Sequence, residues 1–397
     1  MTKLSRELGT TADVVVVGAG LFGASAAYSL SQLGVGRVLL VERDMPGSGD
    51  SGRTFGMVRH HYSNDETTLL ALRSIDTMRD WHDRIGVADA GYLPCGYLAT
   101  VGAASVPACR ENVERSRRLG GDERFLEPSE LADIEPLLSL EGIAGAAYEP
   151  AGGIADVHRQ ILGWLTAAGA AGVECVFGTT VTGLDVEGGR VTRVRTSSGD
   201  IAAGQVLVCA GAWGRELVAT AGVSLPVSLR RVPVAVMEVP PGVALPSVVC
   251  AEAVSNLVVR PDRARSFWGV AYGGQAELAM VPLQPEPVPA GYDAIVAAAV
   301  AERYPSLSGA RYVAGWSGVY DYTPDWNPVV GFAPGLENLY VAFGSSGHGF
   351  KLAPALGECI AAALSGAKPP VDIARLAPDR FETGQLLHMG YGPNARA

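Results

Sequence analysis

Val14-Val15-Val16-Val17-Gly18-Ala19-Gly20-Leu21-Phe22-Gly23 is the stretch that decides the fold. Four β-branched residues in a row leave no polar face, the pattern of a strand covered on both sides within a parallel sheet. The run ends in G-x-G-x-x-G, a helical pattern follows from Ala24 to Leu33, and Gly34 supplies the stop. Val38-Leu39-Leu40-Val41 then reads as a second buried strand ending at Glu42. Strand, glycine turn, helix, strand and acid together make a dinucleotide-binding unit, which weighs far more than the glycine spacing alone. Gly18 permits the tight turn, Gly20 lets a pyrophosphate approach the backbone, and Gly23 lets helix and strand pack closely. Leu21 and Phe22, between the last two glycines, belong to the same cofactor-binding turn. Glu42 is placed to accept hydrogen bonds from ribose hydroxyls, and its charge disfavours a 2′-phosphate and hence NADP. The unit alone does not choose between NAD and FAD, and its bland alternative is a turn satisfied by its own backbone.

The other informative stretch is Gly344-Ser345-Ser346-Gly347-His348-Gly349-Phe350-Lys351, ahead of a helix through Leu356, Ile360 and Leu364. Glycines leave N–H groups uncovered, and a helix start adds partial positive charge, so an electron-rich ring edge is a suitable guest. Lys351 adds a full charge for an anionic substrate group. Alone the octapeptide is equally a Gly-capped loop; beside the N-terminal unit it points to a flavin.

Between these ends, Ile154 to Ala171 reads as a helix, Val173 to Phe177 as a short strand, and Leu184 to Thr196 as a hairpin turning at Gly188-Gly189. Gln205 to Cys209 reads as a strand returning to the nucleotide sheet, and Leu339 to Ala342 as the final one. Val232 to Val239, Leu257 to Arg260 and Ser266 to Tyr272 are strands of a different, Pro- and Gly-broken region. The expected class is α/β in a two-domain α+β arrangement. Residues 1–90, 150–224 and 325–397 form a Rossmann-like domain, and 91–149 and 225–324 form an antiparallel-sheet, substrate-binding domain.

A chain of 397 residues suits two domains. Its formal charge of −10 excludes nucleic acid as a partner, since phosphates demand a basic surface. The six cysteines are scattered without a C-x-x-C, as expected of reduced, buried thiols in a cytoplasmic protein. The first eight residues lack the apolar core of a signal peptide, no run is long enough for a membrane span, and no residue set is assigned to a metal.

With both ends in hand, the chain resembles the D-amino acid oxidase superfamily of FAD-dependent oxidoreductases, most closely its sarcosine oxidase and glycine oxidase branch. The likeness spans nearly the whole length. It rests on Gly18 to Gly23 with Glu42, on Ser51-Gly52-Arg53 and Met57-Val58-Arg59-His60-His61-Tyr62, and on Ala210-Gly211-Ala212-Trp213. It continues through Tyr320-Asp321-Tyr322-Thr323-Pro324-Asp325 and ends at Gly347-His348-Gly349-Phe350-Lys351.

The resemblance implies an FAD-binding domain with the flavin ring between the two domains. It sets Arg43 beside the adenosine, the Val181 backbone at the adenine, and Ser51 and Gly52 along the ring. Gly347, His348, Gly349 and Phe350 would offer N–H groups to the flavin N1 and C2 carbonyl. Arg59 and Lys351 match a pair that clamps a substrate carboxylate, Arg as a bidentate fork and Lys as a point charge. Tyr320 matches a tyrosine lining the substrate cavity, and His348 stands beside it in a packing role rather than as a base. The plain alternative for Arg59 is a surface ion pair with Asp65 or Glu66. His60 and His61 shape the pocket or sit on its rim. Tyr62, Phe267, Trp268, Tyr272, Trp316 and Tyr320 are aromatic residues available to line it.

Two departures stand out. Some relatives tether FAD through a cysteine where this chain has Gly318, so non-covalent FAD is expected, with a histidyl link through His60 or His61 as the lesser option. Sarcosine oxidases also carry a lysine above the flavin, where Phe267 falls here; a shift of one or two residues would bring in Arg265 or Arg263. The expected function is oxidation of the C–N bond of an amino acid or N-alkyl amino acid by hydride transfer to flavin N5, giving an imine that hydrolyses. O2, a quinone or a protein is the electron acceptor. Alternatives are a 2-hydroxy acid donor, or a partner-dependent flavoprotein subunit of a larger complex.

Overall fold

The computed structural model describes residues 10–87, 89–262, 265–271, 276–281, 287–388 and 390–391. Arg263, Tyr272 and the first eight residues, on which expectations were placed above, lie outside the described residues.

The valine run forms the strand Thr11–Val17, parallel to Val38–Val41 on one side and to Gly199–Val208 on the other. Val14 to Val17 are all buried, as in a strand covered on both faces. Val14 and Val16 lie in a cluster with helix residues such as Ala24 and Leu356, and Val15 and Val17 in a cluster with Leu184, Val191 and Val194 of a β-hairpin and with Val218. This eight-stranded sheet runs Val329–Phe332, Leu339–Phe343, Gly199–Val208, Thr11–Val17, Val38–Val41, Glu174–Val176, and the hairpin Val181–Glu187 and Arg190–Thr196 extends from Gly199–Val208. The helix Leu21–Leu33 ends at Gly34, whose left-handed φ of 65° halts the turn. It packs on the C-terminal helix Gly349–Ser365, so closely that a Cβ on Gly357 would sit 2.1 Å from Ser25 Oγ.

The second sheet has nine strands, with Ser228–Glu238 held between Ser266–Ala271 and the long strand Arg311–Tyr322. It is antiparallel except where Val249–Glu252 runs parallel to Tyr97–Val101, the junction that joins its two separated chain segments. Helix Tyr292–Arg303 covers one face with Tyr292, Val296 and Val300. Val232, Val234, Val258 and Val270 form a cluster on the other. The molecule is therefore a mixed α/β fold.

The helix expected from Ile154 begins instead at Val157. Gly153–Ile154 pairs with Met57–Val58 as a short ribbon, and the Asp156 carboxylate caps the helix by accepting the His158 and Arg159 N–H groups. The six cysteines are free, five buried and Cys95 partly so. Among the described residues, no helix is long and apolar enough to cross a membrane.

Candidate functional site

The glycine turn follows directly from the end of Thr11–Val17. Gly18 has a φ of +102°, and a Cβ there would lie 2.6 Å from the Cys209 carbonyl oxygen. A Cβ on Gly23 would lie 1.9 Å from the Gly18 oxygen, so that glycine lets the helix seat against the turn. The Leu21 N–H donates to Ser51 Oγ at 3.1 Å, which ties the helix start to the 3₁₀ turn Asp50–Arg53. Gly52 closes that turn, donating its N–H to the Gly47 carbonyl at 2.9 Å. Glu42 follows Val38–Val41 and is fixed by two amides, Ala19 N–H at 2.7 Å and Asp44 N–H at 2.9 Å. Arg43 lies over the Trp213 ring at 4.1 Å, making a flat wall beside it.

The octapeptide continues from Leu339–Phe343. Asp321 organises its start by accepting the Gly344 and Ser345 N–H groups at 2.8 and 3.0 Å. Gly347 has a φ of +79°, and a Cβ there would lie 2.4 Å from the Tyr320 ring. The helix begins at Gly349 with His348 as its cap, so Lys351 stands inside the first turn. Its Nζ donates back to the Gly347 carbonyl at 3.2 Å.

Lys351 is 3 % exposed, and burial together with the nearby Arg59 charge pushes its ammonium well below the ordinary amine range, with Glu149 pulling the other way. Arg59 is also 3 % exposed. Its Nη1 donates to the His61 carbonyl, its guanidinium lies over the Tyr62 ring at 4.3 Å, and its Nη2 is 3.3 Å from His348 Nδ1. Asp65 and Glu66, the surface partners considered for it, pair instead with Arg115 and Arg375.

The glycine turn, Glu42, Arg43, Asp321, Gly347 and Lys351 line a cavity of about 410 Å³. A glycine cradle, a strand-end acid and the first N–H groups of a second helix suit an extended dinucleotide with a ring at one end. One carboxylate oxygen in the wall, Asp50 Oδ2, is shut off from solvent without a hydrogen-bond partner, as expected where a ligand supplies the donor. Residues 13–363 match the family described as DAO, FAD dependent oxidoreductase. The chain belongs to this family.

The FAD-dependent oxidoreductase is 26% identical over 387 residues to a sarcosine oxidase subunit beta from Arthrobacter sp, covering 94% of this chain and 92% of that one. It is 28% identical over 425 residues to FAD-dependent oxidoreductase domain-containing protein 1 of Mus musculus, covering 95% of this chain and 86% of the relative. The crystal structure of L-proline dehydrogenase from P. horikoshii shares the fold with a TM-score of 0.87 at 24% identity, covering 96% of this chain and all of the other.

Of the residues expected to hold FAD in this oxidoreductase, Gly18, Gly20, Leu21, Phe22, Glu42, Arg43, Ser51, Val181, Gly347, Gly349 and Phe350 line the cavity, with Lys351 and Tyr320. Gly23, Gly52, Arg59 and His348 are not among the residues that line it. Gly318 lines it too, with the Asp50 carboxylate and Arg53 as neighbours.

Three expectations change. His60 and His61 are not rim residues; both are fully buried among carboxylates. Glu149 accepts the backbone N–H groups of both, His60 Nε2 lies 3.1 Å from Asp122, and His61 contacts Glu123 and, at 2.6 Å, the Tyr391 hydroxyl. Burial opposes charge on His60, yet Glu149, Asp122 and Glu123 outweigh it and lift its pKa to about 9. Phe267 does not face the cavity. It packs under helix Tyr292–Arg303 with Met237 and Val296, and the strand's alternation turns Trp268 and Val270 to the cavity side. Arg265 ends the hairpin with a φ of 70° and donates to the Val239 carbonyl. Among the aromatic candidates, Tyr62 lies under Arg59, and Trp268 packs edge-on against Trp316 with centroids 4.9 Å apart.

The Asp50–Asp321 pair and the Glu123–Glu149 anchor were missed. Asp321 stood inside a quoted motif, but nothing local shows that its partners lie in the octapeptide.

Proposed function

We propose that this oxidoreductase oxidises the C–N bond of an amino acid or N-alkyl amino acid whose carboxylate is held by Arg59 and Lys351. The observation that carries this reading is the burial of Arg59 beside Lys351, which lines the cofactor cavity, close enough for Arg59 to depress Lys351. A pair of buried cations without a ligand is unfavourable, and an anion that arrives there relieves it. Kinship with a sarcosine oxidase subunit favours an amine over a 2-hydroxy acid as the donor.

Bound FAD supplies the hydride acceptor, held by the glycine turn, Glu42, Arg43, Ser51, Val181 and Gly347 to Phe350. Non-covalent attachment is supported by Gly318, which puts no nucleophile at its position. Arg59 fixes the carboxylate through its fork, and its own orientation comes from the Tyr62 ring and the His61 carbonyl. Burial and the Arg59 charge lower the Lys351 pKa in the ligand-free site, which suits its amine to receiving a proton. An incoming zwitterion brings a carboxylate that restores its basicity, and an ammonium that gives up the proton. The N–H bond of the substrate breaks, an Nζ–H bond forms, and the amine is left neutral, as hydride loss requires. Tyr320 and His348 shape the site without taking a proton. O2, a quinone or a protein takes the electrons, and the buried thiols support a cytoplasmic setting.

Anaerobic mixing with amino acids, N-methyl amino acids and 2-hydroxy acids, read as flavin bleaching, tests the reading. Bleaching by the first two classes is expected; bleaching by hydroxy acids alone overturns it. One observation favours a second reading, a subunit of a larger complex: the Arthrobacter relative is itself a subunit. Bleaching only after a second chain is added would support that.

A further inference from the structure

Asp50 and Asp321 line the cofactor cavity as neighbours, on the 3₁₀ turn Asp50–Arg53 and on the strand Arg311–Tyr322 that packs against it. Among the described residues neither carboxylate makes a salt bridge: Asp321 is filled by the Gly344 and Ser345 amides and by Ser345 Oγ at 3.1 Å. Asp50 uses Oδ1 to accept the Val319 N–H at 2.7 Å, while Oδ2 is closed off from solvent with no partner among the described residues. A buried acceptor left bare is rare in a native site unless a ligand completes it. The FAD-dependent family supplies such a ligand in this cavity.

We propose that Asp50 is a cofactor-contacting residue, whose Oδ2 accepts a hydrogen bond from bound FAD and whose negative charge opposes reduction of the flavin. A hydride adds negative charge to the cofactor, and a fixed anion beside it makes that addition harder. The groups that face Asp50 are Arg53 on its own turn, Arg43 after Val38–Val41, and Asp321, two residues beyond Val319, whose amide donates to Asp50. Burial lifts Asp50 to about 6, against the weaker pull of the Val319 amide, Arg53 and Arg43. Burial and the Asp50 charge lift Asp321 to about 7. In the ligand-free site the Asp50 anion is therefore present at pH 8 and largely protonated at pH 5. This inference needs bound FAD but not the donor proposed above.

The test is the flavin midpoint potential of the holoprotein, wild type against Asp50→Asn, measured with chemical reductant and indicator dyes at pH 8 and pH 5. Asn keeps the shape and removes the charge. The expected result at pH 8 is a tenfold or larger shift toward the reduced cofactor in the variant, about 30 mV for a two-electron couple. At pH 5 the gap closes. Asp50→Ser serves as a second variant, with the same direction expected. Coincident potentials at pH 8, or an equal gap at both pH values, overturn the proposal. Since no substrate enters the measurement, failure of the C–N reading leaves the result unaffected.

Discussion

Lys351 carries an amine where its surroundings disfavour charge, and that has consequences for both stability and binding. Its folded pKa lies below its ordinary value, so at neutral pH the unfolded chain binds a proton that the native state resists. Lys351 thus destabilises the ligand-free fold near neutrality, and the penalty shrinks as pH rises toward about 10.4, the ordinary lysine value. Lys351→Met is expected to stabilise the ligand-free protein at pH 7 by about 1–4 kcal/mol, with a flatter rise in melting temperature between pH 7 and 10. The same variant is expected to weaken a carboxylate ligand at least tenfold, read as loss of its perturbation of the flavin spectrum. Lower stability with intact carboxylate binding would count against the assigned role. The position of Lys351 was legible in the sequence because the helix start after Gly347 is local. The setting of Arg59 was not. Its neighbours His60 and His61 are held by Glu149 and Glu123, at separations of 89 and 62 residues, and no periodic pattern encodes such pairs.

Among elements, the octapeptide and the strand Ser266–Ala271 behave differently. The octapeptide needs glycine at 347 for two reasons, a left-handed φ and the Tyr320 ring against it. Gly347→Ala is expected to cost about 1–3 kcal/mol and to yield protein with much reduced flavin content, measured by absorbance after purification. Wild-type flavin content in that variant would show that the loop has another way to close. The strand Ser266–Ala271 was found correctly as an element, but its facing was misread, because a one-residue offset sends every side chain to the opposite face. Phe267 is fully buried among Met237, Val296 and Val300. Phe267→Ala is therefore expected to cost about 3–5 kcal/mol in denaturant unfolding, while the folded fraction keeps its wild-type rate of flavin reoxidation by O2. A changed reoxidation rate at full stability would return Phe267 to the flavin. Thr11–Val17 with its turn and helix was legible because strand, glycines and helix are consecutive, so the local pattern and the tertiary pattern agree.

At the scale of the molecule, a buried ion pair ties the C-terminal segment to the rest. Arg380 grips Asp325 with Nε and Nη2 at 2.8 and 3.1 Å, and both side chains are at most 2% exposed. Burial alone would raise the Asp325 carboxyl, but the hydrogen bonds and charge of Arg380 hold it below its usual range. Stability from this pair is complete above the unfolded pKa of about 3.9 and is lost as pH falls through the lower folded value. Arg380→Ala, which strands the carboxylate, is expected to lower stability by about 3–5 kcal/mol in denaturant unfolding at pH 7; a loss under 1 kcal/mol would mean water replaces the partner. The order of strands in the first sheet bears finally on how the protein is made. Leu339–Phe343 pairs with Gly199–Val208, which pairs with Thr11–Val17, so a strand made early waits for one made late. About 320 residues separate Val17 from Leu339, which at about 5–20 residues per second is roughly 16–64 s of translation. Until then a nascent chain holds the glycine turn without Gly347 or Lys351, and one sheet edge stays open to other chains. The vulnerable interval is thus the wait before the last strand arrives.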